Sequence, residues 1–362
     1  MLTILKNQDW LLTIAVFSLV ALGLLGLYSF SKEFFTQQLL WFGIAVLAAL
    51  ALMSVDLRPL ARYRWFVLGI YGLSLFLLLI THFFAPVIRQ AKSWIVIGPI
   101  QFQTSEFTKV ALVILYAYFF AREHVGIARL SNILKSFLYV AIPAFLIFKQ
   151  PDLGSAIILF SIWAGFLIVS GIPPRHLLIG FIIFVILGAS GWNYLLADYQ
   201  RDRLIGFLNP RYDPLGVNYS VIQSKIAIGS AGFWGKGFGQ GTQTQLGFLP
   251  EAQSDFAFSA FIEEWGFLGG AVVLGVFLLL LIRIVFIGLA SQNNFFRLIC
   301  LGAVIVFLAQ FLLNVGSALG FLPVTGVTFP FFSYGGSSLL INMGLVGLIQ
   351  SIAVRQSILR ES

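Results

Sequence analysis

Residues 256–287 read FAFSAFIEEWGFLGGAVVLGVFLLLLIRIVFI and form the longest apolar stretch of the chain. A helix needs about 20 largely apolar residues to cross the hydrocarbon core of a bilayer. This stretch exceeds that length, so the helix that it predicts either tilts in the membrane or extends beyond the lipid. The stretch therefore indicates a membrane protein rather than a soluble domain.

The composition of the whole chain agrees with this interpretation. Of its 362 residues, 59% are hydrophobic and only 10% are charged, and the mean hydropathy is +0.96. Soluble globular domains carry roughly 25% charged residues, so this chain has too little charge to cover a water-facing surface. Because the membrane sets the size of a helical bundle, we expect a single domain over residues 1–362.

Other stretches of the chain share this length and apolar character. The ten predicted spans lie at 11–29, 37–54, 65–84, 104–121, 133–149, 153–172, 175–193, 256–287, 297–318 and 336–354. We therefore predict an all-α polytopic membrane protein with about ten transmembrane helices.

The basic residues predict the orientation of the chain. With ten spans both termini lie on one side, and cytoplasmic segments carry an excess of Lys and Arg. If the termini are cytoplasmic, twelve of the 22 Lys and Arg residues lie in cytoplasmic segments, four in short outer loops, five in one long outer loop, and Lys109 within a span. We expect cytoplasmic N- and C-termini, and the net charge of +8 reflects topology rather than a nucleic-acid-binding surface.

Two outer segments are more than short connections. Residues 194–254, between the seventh and eighth helices, form a long outer loop rich in glycine and aromatic residues, and loops of this length are usually functional or disordered. Its aromatic content favours a loop that folds back over the bundle. Residues 319–335, LGFLPVTGVTFPFFSYG, are uncharged and irregular. Since irregular backbone at membrane depth needs protein or a wet cavity beside it, we expect this cap segment to border a cavity.

Charged groups at membrane depth are costly and are usually functional. Asp255 is such a group, because it ends the long loop and immediately precedes the eighth span. It is either a helix-start carboxylate favoured by the helix dipole or a general base that faces a substrate hydroxyl. Glu264 follows nine residues later, about 900° of helical rotation, so we expect it to point the other way and to pair within the bundle.

Glu106 and Lys109, in QFQTSEFTK, form a second group of charges in the outer half of the bundle. Residues three apart share one face of a helix, so these two side chains can neutralise each other just inside the fourth span. The pair is either an ion pair that tolerates burial or a polar wall of a cavity in which Lys109 faces an anionic group.

Three further residues are candidates for substrate binding. Asp152, in KQPDLGSA, starts the sixth span and either begins the helix or contacts substrate. Arg201 and Arg203, in YQRDRLIGFLNP, either form a solvated loop face or bind diphosphate or sugar-acid groups.

Several other kinds of site are disfavoured. The glycine-rich runs of the outer segments lack the G-x-x-x-x-G-K-[ST] pattern of a nucleotide site. A single cysteine, Cys300, allows no disulfide within the chain. The three histidines lie far apart, which argues against a structural zinc site. A divalent cation held on carboxylates, Mg²⁺ or Mn²⁺, stays open as a cofactor.

Four segments taken together point to a known family. They are AKSWIVIGPIQFQTSEFTK, KQPDLGSA, the run from YQRDRLIGFLNP through GQGTQTQLGFLPEAQSDFAF to EEWGFLGG, and LGFLPVTGVTFPFFSYGGSS. In this order they resemble the SEDS family (shape, elongation, division and sporulation), the multi-spanning peptidoglycan glycosyltransferases. GQGTQTQLGFLPE is similar to the pattern of members that act in cell elongation rather than division.

The resemblance implies roles for particular residues. Asp255 is implied to be the catalytic carboxylate, and Glu106 and Lys109 the polar pair of the fourth span. Trp94, in the segment before the fourth span, is implied to be an aromatic residue that members of the family need. We keep Arg201, Arg203 and Asp152 beside them as candidates for substrate binding.

The resemblance also implies an activity, a location and a partner. We expect a polymerase of lipid II that forms β-1,4 glycan strands, inverts the muramyl carbon and releases undecaprenyl diphosphate. The expected location is the bacterial inner membrane with the active site on the extracytoplasmic side, and the expected partner is a class B penicillin-binding protein with transpeptidase activity. A lipid II flippase and a non-catalytic scaffold of the elongation complex are the alternatives.

Overall fold

The computed structural model describes residues 6–86, 92–98, 100–123, 130–173, 198–209 and 211–361, with isolated residues between 175 and 182. The elements that precede the long outer loop are α1 (Trp10–Phe30), α2 (Lys32–Ser54), α3 (Arg58–Arg62), α4 (Arg64–Phe84), β1 (Trp94–Ile97), β2 (Ile100–Gln103), α5 (Thr104–Glu123), α6 (Leu130–Lys149) and α7 (Leu153–Val169). The elements of the loop and of the remaining chain are α8 (Asp198–Leu208), α9 (Tyr219–Ser230), α10 (Thr242–Gln245), α11 (Ala257–Ala290), α12 (Asn294–Ala318) and α13 (Gly336–Glu361).

The predicted polytopic helical fold is confirmed. In the part of the chain that the structure describes, eight helices are long and apolar enough to cross a membrane: α1, α2, α4, α5, α6, α11, α12 and α13. Helix α7 is also apolar, and its 17 residues are at the lower end of the length that a span requires. The predicted span 175–193 falls almost entirely outside the described residues. The exact number of spans and the side of the termini stay predictions.

One short sheet departs from the all-α prediction. Strands β1 and β2 pair in antiparallel fashion, with Trp94 opposite Gln103 and Ile97 opposite Ile100. Their β-branched and aromatic residues suit a half-buried pleated surface. Helix α5 begins at Thr104, immediately after β2, so the hairpin fixes where the first turn of α5 starts.

Helix α12 packs closely against α5 and α7 in the core of the bundle. Gly302 of α12 faces α5 and α7 so closely that a Cβ there would lie 2.5 Å from Val113 and 3.1 Å from Phe166. Glycine at this position lets the three helices approach each other without a cavity.

Helix α11 is broken at Gly266. This residue has φ 69° and ψ −171°, which is a conformation that side chains rarely adopt. The sequence predicts one long span here, whereas the structure has a short helical segment before this glycine and a long one after it. The break frees backbone groups that need partners in a membrane protein.

The long outer loop supplies those partners. The backbone N–H groups of Lys236 and Gly237 donate to the carbonyls of Glu263 and Glu264, each at 3.0 Å. In the other direction, Phe267 N donates to the carbonyl of Gly232 at 3.0 Å, and the next residue donates to that of Phe233 at 3.2 Å. The loop therefore enters the break and is part of the bundle, which agrees with the predicted fold-back.

We expect Gly266→Ala to destabilise the protein by more than about 2 kcal/mol. The positive-φ extended backbone of Gly266 is almost exclusive to glycine and costs another residue about 1–3 kcal/mol. In addition, a Cβ would lie 2.3 Å from the backbone nitrogen of Gly235. The matched control is Gly275→Ala on the same helix, where nothing lies within 4 Å. There the change should be neutral or stabilising by about 0.5–1 kcal/mol. Thermal unfolding of both variants in one detergent provides the measurement, and equal midpoints would contradict the proposed role of the break.

Candidate functional site

Asp255 lies in a turn that joins the long outer loop to α11. The turn comprises residues 251–256, and Asp255 is half-buried within it. Phe256, and not Asp255, occupies the capping position of α11, and it makes no side-chain capping bond. Asp255 is therefore not the capping residue of α11 but precedes it by one position. A carboxylate this close to the helix N-terminus is still favoured by the helix dipole, so both interpretations of Asp255 stay predictions.

The Asp255 turn is built around Glu251. The backbone carbonyl of Glu251 accepts from the amides of Ser254 at 3.1 Å and Phe256 at 3.2 Å. Its carboxylate accepts from Gln253 Nε2 at 3.0 Å and from Ser254 Oγ at 3.1 Å. Glu251 adopts φ 51°, the left-handed region, which costs free energy in a residue with a side chain. The surrounding contacts hold the turn in this conformation.

Glu106 and Lys109 form a buried ion pair one turn into α5. The two charged atoms are 2.6 Å apart, and the side chains are 8% and 0% exposed, respectively. Lys109 Nζ makes no hydrogen bond with another residue of the described ranges. An ammonium group has three N–H donors, so this one has donors to spare for a further acceptor.

Asp152 holds the start of α7 against the hairpin and α5. Its carboxylate caps α7 by accepting from Ser155 N at 3.0 Å and Ser155 Oγ at 2.7 Å. It also accepts from Gln103 Nε2 at 2.9 Å, and Ser105 Oγ lies at 3.4 Å. Trp94 is half-buried opposite Gln103 in the hairpin. The carboxylate of Asp152 thus uses most of its hydrogen-bond acceptor sites in capping α7 and in bonding Gln103 and Ser105. A role of Asp152 in substrate binding stays a prediction.

Helix α8 of the outer loop docks beside this cluster. Tyr199 donates its hydroxyl to the carbonyl of Pro151 at 2.7 Å, and burial raises the pKa of Tyr199, so the hydroxyl keeps its proton. Arg203 is exposed, stacks over the Tyr199 ring at 5.6 Å and donates to the carbonyl of Val324 at 3.1 Å. Arg201 pairs with Asp198 on the same helix.

The cap segment, residues 319–335, connects these groups through its backbone. The carbonyl of Val324 accepts from Arg203. The carbonyl of Thr325 lies so close to Gly154, at the start of α7, that a Cβ there would be 2.5 Å from its oxygen. The carbonyl of Val327 accepts from Asn314 Nδ2 at 2.8 Å, and the same amide donates to the carbonyl of Asp255 at 3.1 Å. The cap segment therefore links α7, α8 and the Asp255 turn.

The two glutamates of α11 have structural partners. The Glu263 carboxylate is fully buried and pairs with Lys236 Nζ at 2.8 Å. It also accepts from the backbone amides of Gln243 and Thr244, at 2.9 and 3.2 Å. Glu264 accepts from Ser29 Oγ at 2.8 Å, which agrees with the expected pairing within the bundle. These contacts tie the outer loop to α1 and α11.

The charged side chains do not form a ligand set for a metal ion. Within the described ranges, no three His, Cys, Asp or Glu residues are grouped closely enough to hold one. Mg²⁺ is commonly held by only one or two carboxylates together with substrate phosphates, so a divalent cation bound in that way stays a prediction.

Two residues that hold the Asp255 turn were missed in the sequence. Asn314 lies within a span but is uncharged, so the argument that charged groups are costly in a membrane did not identify it as a candidate. Glu251 lies in the loop, and its left-handed backbone has no sequence signal because glycine is the usual residue in that conformation. The presence of a polar amide within an apolar helix could have identified Asn314 as a candidate.

Comparison with known proteins identifies the family to which this chain belongs. Residues 2–358 match the family model described as cell cycle protein, FtsW/RodA/SpoVE. The chain belongs to this family. It is 35% identical over 304 residues to the peptidoglycan glycosyltransferase MrdB of Escherichia coli K12, covering 84% of this chain and 82% of that protein. It is 30% identical to the peptidoglycan glycosyltransferase RodA of Treponema pallidum, covering 97% and 98% of the two chains.

Solved structures of FtsW/RodA/SpoVE proteins have the same fold. One similar chain belongs to a peptidoglycan synthase complex that coordinates polymerization and crosslinking, with 34% identity, a TM-score of 0.82 and coverage of 96% and 98%. Another is the rod shape determining protein RodA of Thermus thermophilus, with 29% identity, a TM-score of 0.71 and 96% of each chain covered. The chain therefore shares the multi-pass membrane fold of these proteins.

Proposed function

We propose that this chain is a peptidoglycan glycosyltransferase that polymerises lipid II into β-1,4 glycan strands during cell elongation. The acceptor is the 4-hydroxyl of a GlcNAc unit, and the donor is the muramyl end of a chain linked to undecaprenyl diphosphate. The hydroxyl oxygen bonds to the muramyl C1 while the bond from C1 to the diphosphate oxygen breaks. The hydroxyl proton goes to a base, and direct attack inverts the α linkage to β.

Asp255 is the base in this proposal. A positioned carboxylate removes the proton of an attacking hydroxyl, and diphosphate is a good enough leaving group to need no second carboxylate as acid. Lys109, with its unused N–H donors, and Arg203, on the outer loop, provide positive charge for the departing diphosphate. Arg201 is an alternative source of that charge, and Asp152 and Trp94 are proposed as further substrate-binding residues.

One observation carries the proposal. The cap segment contacts α7, α8 and, through Asn314, the Asp255 turn. Asp152, at the start of α7, in turn bonds Gln103, which ends β2, and Ser105 at the start of α5, the helix that carries Glu106 and Lys109. A lipid-linked substrate explains why an enzyme has such a site at the edge of a bilayer. Its prenyl chain stays in lipid while the sugars reach the outer loop.

The proposal includes the setting of the enzyme. The chain is placed in the bacterial cytoplasmic membrane, with both termini in the cytoplasm and the reaction at the extracytoplasmic face. Its partner is a class B penicillin-binding protein, which crosslinks the strands that this chain polymerises. The likeness to a chain of a synthase complex that couples polymerization to crosslinking supports this pairing.

Polymerisation in detergent tests the proposed function. Purified chain, alone and with a transpeptidase partner blocked by a β-lactam, is incubated with lipid II, and the products are separated by size. We expect glycan polymer that a β-1,4-specific muramidase cleaves. A flippase forms no polymer in micelles, and a scaffold adds nothing to what the partner makes alone. The absence of polymer from the chain with its cognate partner would contradict the proposal.

A further inference from the structure

Asn314 is an amide buried in an apolar helix. It lies on α12, four residues before the end of the helix, and is 1% exposed. A buried amide without hydrogen bonds is unfavourable, so its partners explain why it is tolerated there. Its Nδ2 donates to the carbonyls of Asp255 at 3.1 Å and Val327 at 2.8 Å, and the carbonyl of Ser254 lies at 3.5 Å.

The direction of these bonds follows from the acceptors. Carbonyl oxygens only accept hydrogen bonds, so the NH₂ end of the Asn314 amide faces them. The two shorter bonds use the two N–H donors. One amide thus joins the peptide unit that follows Asp255 to the cap segment at Val327.

Contacts from other segments of the chain hold the conformation of the Asp255 turn. Its residue Glu251 is held in the left-handed region, and the backbone amide of Tyr334 donates to the carbonyl of Gln253 at 2.8 Å. The turn is therefore attached to α12 by Asn314 and to the end of the cap segment by Tyr334. A carboxylate on a turn held from two sides has a restricted position.

We propose that Asn314 is a positioning residue that acts through Asp255. This inference rests on the proposed function, in which Asp255 is the base. By fixing the carbonyl of Asp255 against Val327, Asn314 sets where the carboxylate lies relative to the acceptor hydroxyl. A displacement of about 1 Å can slow a reaction by about 100-fold. Loss of Asn314 therefore slows the chemical step, while lipid II binding, which involves other groups, changes little.

The test replaces the amide with an apolar side chain of similar size. We expect Asn314→Leu to lower kcat for glycan polymerisation by roughly 10- to 100-fold with KM for lipid II within about twofold. The matched control is Gln310→Leu, one turn earlier on α12. Gln310 is also fully buried, and its amide makes no hydrogen bond within the described ranges. This control should keep a kcat within about threefold of wild type.

A double variant separates positioning from a general structural effect. If Asn314 acts through Asp255, adding Asn314→Leu to Asp255→Asn causes no further loss of rate, because the carboxylate is already absent. The same fold loss in both backgrounds would overturn the inference. So would a raised KM with unchanged kcat.

The failure of this inference differs from the failure of the proposed function. A wild-type rate in Asn314→Leu together with an inactive Asp255→Asn would overturn only the positioning role. Full activity in Asp255→Asn would overturn the base itself. If the leucine variant does not fold, Asn314→Ala is compared with wild type by hydrogen exchange. We expect faster exchange at residues 251–256 with α12 unchanged, and unchanged exchange in the turn would overturn the inference.

Discussion

Removing one partner of the Glu106–Lys109 pair is expected to cost stability and to abolish polymerisation. Loss of one member leaves the other as an unpaired charge on a buried side chain, since Lys109 is 0% and Glu106 8% exposed. Breaking a buried pair in this way destabilises proteins by about 3–5 kcal/mol. We therefore expect Glu106→Gln and Lys109→Met each to lower the thermal midpoint strongly in detergent. Lys109→Met also removes the positive charge that we assign to the departing diphosphate.

The double variant Glu106→Gln/Lys109→Met separates the two roles of the pair. Replacing both charges removes the unpaired ion, so stability should return toward wild type while the loss of polymerisation persists. A double variant that is stable and fully active would show that the pair is only structural. The exposed pair of Asp56 and Arg58 provides the control. Arg58→Gln should change the midpoint little, because Asp56 keeps its second partner, Arg355.

The spans were predictable because apolar length is a local property. The predicted span 104–121 appears as α5, Thr104–Glu123, and the predicted 153–172 begins where α7 begins, at Leu153. The break at Gly266 was not predictable from the same signal. Its positive-φ backbone depends on bonds from Lys236 and Gly237, which lie some thirty residues earlier in the chain. Nothing in the apolar run itself marks that contact.

The candidate site was only partly predictable. Asp255, Glu106 and Lys109 could be selected because charge is costly in a bilayer. In the structure they are linked only indirectly, through Asp152, the cap segment and Asn314. What connects them is mostly backbone, such as the carbonyls of Val324 and Val327, and backbone groups are identical in every sequence. The hairpin was not predicted, because WIVIGPIQFQ is too short for a span and its strands are recognisable only by composition, which suits a half-buried sheet.

Asp255→Asn is expected to lower the polymerisation rate by about 10²- to 10⁴-fold, the usual contribution of a general base. The substitution keeps the size of the side chain but removes its basicity. The fold should persist, because Asn314 bonds the backbone carbonyl of residue 255 and not its carboxylate. Asp202→Asn is the matched control, since Asp202 lies on α8 of the same outer loop, outside the Asp255 turn.

The most direct test of the account is the release of undecaprenyl diphosphate from lipid II by wild type, Asp255→Asn and Asp202→Asn, each purified with the same partner. Thermal midpoints measured in parallel establish that all three proteins are folded. The account predicts one undecaprenyl diphosphate per glycosidic bond from wild type and from Asp202→Asn, and almost none from a folded Asp255→Asn. Release at the wild-type rate from Asp255→Asn would contradict the assignment of Asp255 as the base.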